Sequence, residues 1–236
     1  MPLASLRMLR TFPKALNFDV GEYVDFGDVL NLSELSIFLW IYLPYQVSSA
    51  FQIGKNYTWS DINGYRFSID FHYSQYIFRF GDGTAYYTHR SRYNTLVFDR
   101  WHLTGVMLDN GRCKIILNEN IMVDEEETHT IAPSTEHLLV NQRGAMDLKA
   151  KVKIAFLYIY DRPLPSEEWL QIYKTPLNPP TNGLKLWVDY TSISNGLWLD
   201  RSGYGNHGTI YGATEEIIIK SPVRKLNRVR LLNAVR

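Results

Sequence analysis

From Ala15 to Tyr160 the chain reads as a succession of short strands, which leaves little room for any fold but stacked sheets. Ser36-Ile37-Phe38-Leu39-Trp40-Ile41-Tyr42-Leu43 is apolar at nearly every position, as expected of a strand covered on both faces. Tyr65, Phe67, Ile69, Phe71 and Tyr73 alternate with Arg66, Ser68, Asp70 and His72, the period of a strand with one wet face. Ile77, Phe78 and Phe80 follow a short turn, and Gly81-Asp82-Gly83 ends that run. Trp101–Leu108 and Arg112–Leu117 flank Asp109-Asn110-Gly111, a hairpin signal because Asn-Gly accepts the positive φ of tight turns. Val152–Tyr160 is a further β run. Only 166–173 reads as a helix, with Ser166 placed to cap it and Glu167 and Glu168 at the positive end of its dipole. The expectation is an all-β, two-sheet antiparallel jelly-roll sandwich with one short helix and extended terminal arms. Its core should include Trp40, Phe67, Phe71, Trp101, Ile116 and Phe156.

Charge separates the ends from the body. Residues 1–16 hold Arg7, Arg10 and Lys14, and residues 220–236 hold Lys220, Arg224, Lys225, Arg228, Arg230 and Arg236, with no acid in either stretch. The net charge of +1 therefore hides a body of sixteen basic against twenty-four acidic residues. Basic arms on an acidic body suit pairing with neighbouring bodies in an assembly; nucleic acid is a less favoured partner. Apolar residues recur every third position in both arms: Leu3, Leu6, Leu9, Phe12 and Ala15, then Val223, Leu226, Val229, Leu232 and Val235. That period fits an extended polyproline-like course rather than a helix or flat strand. A lone Cys113 excludes an intrachain disulfide. The first residues lack the apolar stretch of a signal peptide, and no transmembrane segment is expected, because the longest apolar run stops at Pro44.

Several phrases, in order, resemble the laminin-G-like and pentraxin-like jelly rolls of the concanavalin A-like superfamily. They are Ala15-Leu16-Asn17-Phe18-Asp19 with Tyr23-Val24, Leu35–Ile41, Asp99-Arg100-Trp101-His102-Leu103, Lys114–Glu119, and Ile159-Tyr160-Asp161-Arg162-Pro163-Leu164-Pro165-Ser166-Glu167-Glu168. The resemblance covers most of residues 15–175. That family opens with a strand and a D-x-S-G-x-G-N-x-G-T stretch, but here the matching residues, Gly183–Tyr190 and Leu199–Thr209, stand near the C-terminus. The implied organisation is a basic arm (1–14), a jelly roll (15–175), a Pro-rich linker (176–183), a displaced opening-strand motif (184–213) and a second basic arm (214–236). Too few residues follow the motif for a second sandwich. It must complete a sandwich either in its own chain or in a neighbour, and the basic arms favour exchange between subunits.

Catalytic patterns are missing. No E-x-D-x-x-E, which would aim carboxylates from alternate strand positions into one cleft, occurs, nor does G-x-S-x-G or H-E-x-x-H. Asp124-Glu125-Glu126-Glu127 is contiguous and reads as a solvated loop. The resemblance implies either no cofactor or a structural calcium ion near Asp19, Asp200 and Asn206. Against calcium, Ala155 replaces an acid of the family's last main strand, and Asp200 and Asn206 could simply build an Asx-type turn. Loop aromatics flanked by polar groups nominate Tyr57 and Trp59, in the loop Tyr57-Thr58-Trp59-Ser60-Asp61, and Tyr86, Tyr87, His89 and Arg90 for glycan or protein contact. Leu184, Leu186, Trp187, Arg224, Arg228 and Arg230 are the assembly candidates. The leading expectation is a non-catalytic structural or adhesion protein, self-associating in a virion or at an extracellular surface. The alternative is a glycan-binding lectin module, and a glycoside hydrolase is a distant third.

Overall fold

The computed structural model describes residues 11–45, 50–55, 61–109, 111–142 and 150–218. In chain order they form β1 (Lys14–Phe18), β2 (Tyr23–Asp25), β3 (Leu35–Tyr42), β4 (Ala50–Gly54), β5 (Tyr65–Asp70), β6 (Gln75–Gly81), β7 (Tyr86–Arg90), β8 (Trp101–Leu108) and β9 (Gly111–Leu117). There follow β10 (Asn120–Glu127), β11 (Leu139–Val140), β12 (Val152–Tyr160), α1 (Ser166–Lys174), β13 (Leu184–Asp189), β14 (Ile193–Ser194), β15 (Leu197–Trp198), β16 (Gly208–Tyr211) and β17 (Thr214–Ile217). One antiparallel sheet runs β10-β9-β8-β3-β12-β1-β17, with β13 also paired to β12; the other runs β14-β15-β16-β2-β11-β4-β5-β6-β7. Two stacked antiparallel sheets with a single short helix make the expected jelly-roll sandwich.

The alternation that marks these strands fills the space between the sheets. Leu35, Ile37, Leu39, Ile41, Ile154 and Leu157 from the first sheet meet Phe51, Ile53, Phe67, Ile69 and Phe78 from the second. Burying each such side chain contributes on the order of 2 kcal/mol. The first sheet's outer face builds a second core. Phe38, Trp40, Phe156, Tyr158 and Tyr160 lie under Trp169, Ile172 and Phe12, which explains why β3 is apolar on both faces. Phe12 sits edge-on to Trp40, Trp101 and Phe156 at 5.1–5.3 Å. The Pro-rich segment is strapped to this core: Tyr158 Oη donates to the Pro176 carbonyl and Tyr160 Oη to that of Pro180.

Four expectations need correction. Ser166 is the first helical residue rather than the cap; Pro165 holds the cap position with extended backbone, and no side chain bonds there. The fixed φ of proline supplies that entry geometry. Trp101 is half-buried, whereas the other five expected core residues are buried. The expected wet face of β5 is covered, with Arg66 and Ser68 buried. Long side chains on neighbouring strands shield one another there: Arg66 stands opposite Arg79, Arg79 opposite Thr88, and Arg79 Nε donates to Thr88 Oγ1 at 2.8 Å. Finally, the terminal arms begin further out than expected, because Lys14 opens β1 and Thr214–Ile217 form β17.

The C-terminal strands pair within their own chain. β13 lies along β12, pairing Leu157 with Val188 and Ile159 with Leu186. β16 lies along β2, with Tyr211 stacked on Tyr23 at 4.6 Å. β17 flanks β1, with Lys14 and Glu215 ion-paired at 2.8 Å. Exchange between subunits is therefore not required to seal the sandwich. Leu184 and Leu186 are buried within it, Trp187 is half-buried beneath the Arg201 guanidinium, and Arg224, Arg228 and Arg230 lie outside the described residues.

His102 of β8 reports on this packing. Its ring is wholly buried, with Nε2 3.1 Å from Tyr76 Oη and Nδ1 3.3 Å from the Arg100 carbonyl. Burial pushes its pKa down to about 4 from 6.5, despite the opposing pull of that carbonyl. Between those values the unfolded chain binds a proton that the native chain refuses, so stability falls as pH drops through that window. Denaturation from pH 6.5 to 5 should show a component of about 1.4 kcal/mol per pH unit that His102→Gln removes. A slope unchanged in the variant would contradict the assignment.

Candidate functional site

The β4–β5 and β10–β11 loops meet over a polar cavity of about 340 Å³, lined by Asp61, Ile62, Asn63, Pro133, Ser134, Thr135 and Glu136. Its walls are set by backbone crossing backbone. Gly64 N–H donates to the Ala132 carbonyl (2.9 Å), Ala132 N–H to Gly81 (2.8 Å), Gly81 N–H to Gly64 (3.0 Å) and Gly83 N–H to Ile62 (2.7 Å). The approach is so close that a Cβ at Gly81 would stand 2.0 Å from the Ile62 carbonyl carbon, and one at Gly64 2.2 Å from the Lys55 carbonyl oxygen. Lys55 anchors the loop's base: its buried ammonium meets Asp28 at 2.6 Å and the Val29 carbonyl at 2.8 Å. Asn31 Oδ1 accepts from Ser134 N–H, and Ser134 Oγ from Glu136 N–H. These bonds fix the second wall. Short polar side chains thus project from a braced frame, an arrangement suited to orienting a small hydroxylated ligand.

Beside the cavity, the β6–β7 turn folds around Asp82. Oδ1 accepts from Ala85 N–H, Thr84 N–H and Thr84 Oγ1, and Oδ2 from Tyr87 Oη. Those donors, led by the Ala85 amide, hold its carboxyl well below the usual carboxylate range. Tyr87 stacks on His129 at 3.9 Å, and His129 Nδ1 lies 2.6 Å from Glu127 Oε1. Glu127 Oε2 stands 2.9 Å from His89 Nε2, and His89 Nδ1 stands 2.6 Å from Glu125 Oε2. Burial raises the Glu127 pKa, but the His129 amide and the two imidazoles pull it further down, leaving it below its ordinary value. This chain of contacts ties edge strand β7 of one sheet to edge strand β10 of the other.

The acidic run is consequently strand, not solvated loop. In β10 the alternate residues Glu125 and Glu127 face His89, while Asp124 pairs with Arg112 at 2.6 Å. A glutamate-x-glutamate spacing, which puts both side chains on one strand face, was the available signal.

The expected binding residues divide. Tyr57 and Trp59 lie outside the described residues, although their loop runs into Asp61 at the cavity wall. Tyr86 is exposed beneath Arg79, whose guanidinium carbon is 4.8 Å from the ring centroid. Arg90 is exposed on β7. Tyr87 and His89 belong to the contact chain, and His89 is buried. Asn63 and Pro133–Glu136 escaped local pattern reading because they reach the site only through long-range crossing.

The calcium candidates each carry contacts of their own. Both Asp200 carboxylate oxygens already accept from donors: Oδ1 from Trp187 and Ser202 N–H, Oδ2 from Ser202 Oγ and Asn206 N–H. Asn206 Nδ2 donates to the Lys185 carbonyl. Asp19 sits on the β1–β2 turn beside Lys151 (3.1 Å). Among the described residues no group of three or more His, Cys, Asp or Glu is arranged to hold a metal. The bonds to Asp200 set it in a hydrogen-bonded turn.

No family model and no curated protein matches the chain. Solved structures do. A Bacteroides ovatus protein provisionally assigned to carbohydrate binding superposes with a TM-score of 0.68 at 14% identity, over 89% of this chain and 61% of its own. The leech intramolecular trans-sialidase gives 0.50 at 15% identity, over 70% of this chain and 28% of its own. The binding domain of botulinum neurotoxin serotype D gives 0.49 at 12% identity, over 64% and 38%. The chain thus spans less than two thirds of each, and at these identities the likeness is one of fold.

The backbone crossing yields a sharp expectation. Gly81→Ala should cost about 2 kcal/mol or more in urea denaturation, since a methyl driven into a carbonyl must displace the wall. Gly196→Ala, at φ +76° with open space around its Cβ, should cost only about 1 kcal/mol. Equal, small losses in both would mean that the cavity wall is pliable.

Proposed function

We propose that the chain is a non-catalytic carbohydrate-binding attachment module of the concanavalin A-like type, acting at an extracellular surface through the Asp61–Glu136 cavity. The observation that carries this reading is the cavity itself. Asp61, Asn63, Ser134, Thr135 and Glu136, which carry carboxyl, amide and hydroxyl groups, line one braced, solvent-open space. Sugars present vicinal hydroxyls that donate to carboxylates and accept from amides, and such bonds to charged groups contribute roughly 1.5–3 kcal/mol each. The fold shared with a protein provisionally assigned to carbohydrate binding agrees with this reading.

Non-catalytic action is favoured by the state of the acidic strand. Both Glu127 oxygens contact imidazoles and Glu125 contacts the first of them, so these carboxylates serve a structural bridge. The reading as a subunit of a virion or fibre rests on the basic arms and on exchange of the C-terminal strands between subunits, whereas β13, β16 and β17 pair with β12, β2 and β1 of the same chain, which favours the attachment module. Among the described residues no helix is long and apolar enough to cross a membrane.

A glycan array followed by titration calorimetry tests the proposal. Asn63→Ala and Thr135→Ala should each weaken binding of the strongest saccharide about tenfold or more, with thermal stability unchanged. Failure to bind any saccharide, or binding indifferent to both substitutions, would contradict it.

A further inference from the structure

At the opposite end of β6 from the cavity, two tyrosines stand side by side in solvent. Tyr73 belongs to the β5–β6 turn and Tyr93 to the segment after β7, and they are 52% and 65% exposed. Their ring centroids lie 5.7 Å apart with the planes tilted by 48°, and His72 stands edge-on to Tyr73 at 4.5 Å. Both rings are mounted on braced backbone. Phe71, buried beside Phe98, anchors the first turn, and Asp70 Oδ1 accepts from the N–H groups of His72 and Tyr73. Thr95 N–H donates to the Ser74 carbonyl at 2.8 Å and ties the second segment to the first. Ser91 Oγ accepts from Tyr76 N–H and lies 2.7 Å from Thr95 Oγ1, which secures the same segment to β6. Each tyrosine is followed by a residue in the left-handed region, Ser74 at φ +54° and Asn94 at φ +59°, a backbone that side-chain-bearing residues adopt mainly in tight turns.

Two adjacent rings leave apolar area in water that a ligand with a matching apolar face would cover. We propose that Tyr73 and Tyr93 form a second saccharide site, a stacking platform for two successive pyranoses of an oligosaccharide chain. It builds on the glycan-binding reading above but uses none of the cavity residues. One face of a pyranose carries C–H bonds whose partial positive charge meets the negative face of an aromatic ring. The ring separation is comparable with the repeat of a pyranose chain, so neighbouring sugars can each meet one tyrosine. A tilt of 48° suits a chain that twists from one sugar to the next rather than a flat ribbon. His72, Arg92 and Asn94 are exposed around the pair, which fits the hydroxylated rim of a sugar better than the dry core of a protein interface. Tyrosine makes such contact at low entropic cost because few side-chain torsions are frozen. β6 spans seven residues, so the platform lies about 20 Å from the cavity wall at Gly81. A glycan long enough to reach both would be held at two points and gain avidity.

The test begins with affinity electrophoresis of the full chain in gels containing soluble glucans, mannans or xylans. Oligomers of the polysaccharide that retards it most, from monosaccharide upward, are then titrated by calorimetry. The Asn63→Ala, Thr135→Ala double variant serves as background, so that the cavity's contribution is removed. There Tyr73→Ala and Tyr93→Ala should each weaken binding about tenfold, while Tyr73→Phe and Tyr93→Phe, which keep the ring, should stay within about twofold. Tyr204→Ala, at an exposed tyrosine between β15 and β16, should change nothing. Binding that needs Asn63 and Thr135 but ignores both tyrosines would overturn the inference and leave the cavity reading intact. Binding that needs the tyrosines but ignores Asn63 and Thr135 would uphold the inference and remove the cavity reading. Phenylalanine variants as weak as the alanine ones would contradict stacking. A dimer in sedimentation that Tyr93→Ala dissolves would make the pair a protein contact and overturn the inference. Retardation by no polysaccharide, together with no binding on the glycan array, would overturn both readings.

Discussion

One edge of β12 governs the molecule. β3 covers its other edge along nearly the whole strand, while on this edge β1 pairs at Val152–Ile154 and β13 at Phe156–Tyr160. Two strands far apart in sequence thus lie end to end along a third, and neither alone would satisfy its backbone groups. An unpaired edge in a sheet with a covered apolar face exposes donors, acceptors and core together. The tail of the chain removes that liability, and its turn explains how. Asp200, between β15 and β16 of the second sheet, gathers the amides of Trp187, Ser202 and Asn206, tying to β13 of the first sheet the turn that delivers β16 to β2.

The same rule, backbone satisfied by backbone, shapes the candidate site at the other end of the second sheet. Gly64, Gly81 and Ala132 belong to three different parts of the chain and bond one another directly. Glycine is required at two of these points because nothing larger fits between the strands. The polar groups of Asp61, Asn63 and Pro133–Glu136 are therefore mounted on a frame rather than on free loops. The His89–Glu127–His129 contacts brace that frame from the first sheet. A braced site loses little conformational entropy on binding.

Periodicity was a good guide where it reports burial and a poor one where it reports only side-chain chemistry. β3 is apolar on both faces because the second sheet lies on one side and α1 with Phe12 on the other, and its composition says as much. β5 alternates just as cleanly, yet Arg66 and Ser68 are buried, because neighbouring strands cover them with polar side chains of their own. In β10 four acids in a row suggested solvent, whereas the alternate pair faces two histidines from elsewhere in the chain. Of the cavity, only Asp61 could be reached from a local pattern, through the aromatic loop that precedes it. Its partners at 133–136 arrive by contacts across some seventy residues, which no local window contains.

The central claim, that the C-terminal strands seal the sandwich from within one chain, is tested most directly by hydrogen exchange across a wide dilution series. Amides of β2, β12, β13 and β16 should be equally protected at every concentration, in a protein that sediments as a monomer throughout. Protection that fades on dilution, in step with dissociation into subunits, would show that neighbours supply those strands and would contradict the account.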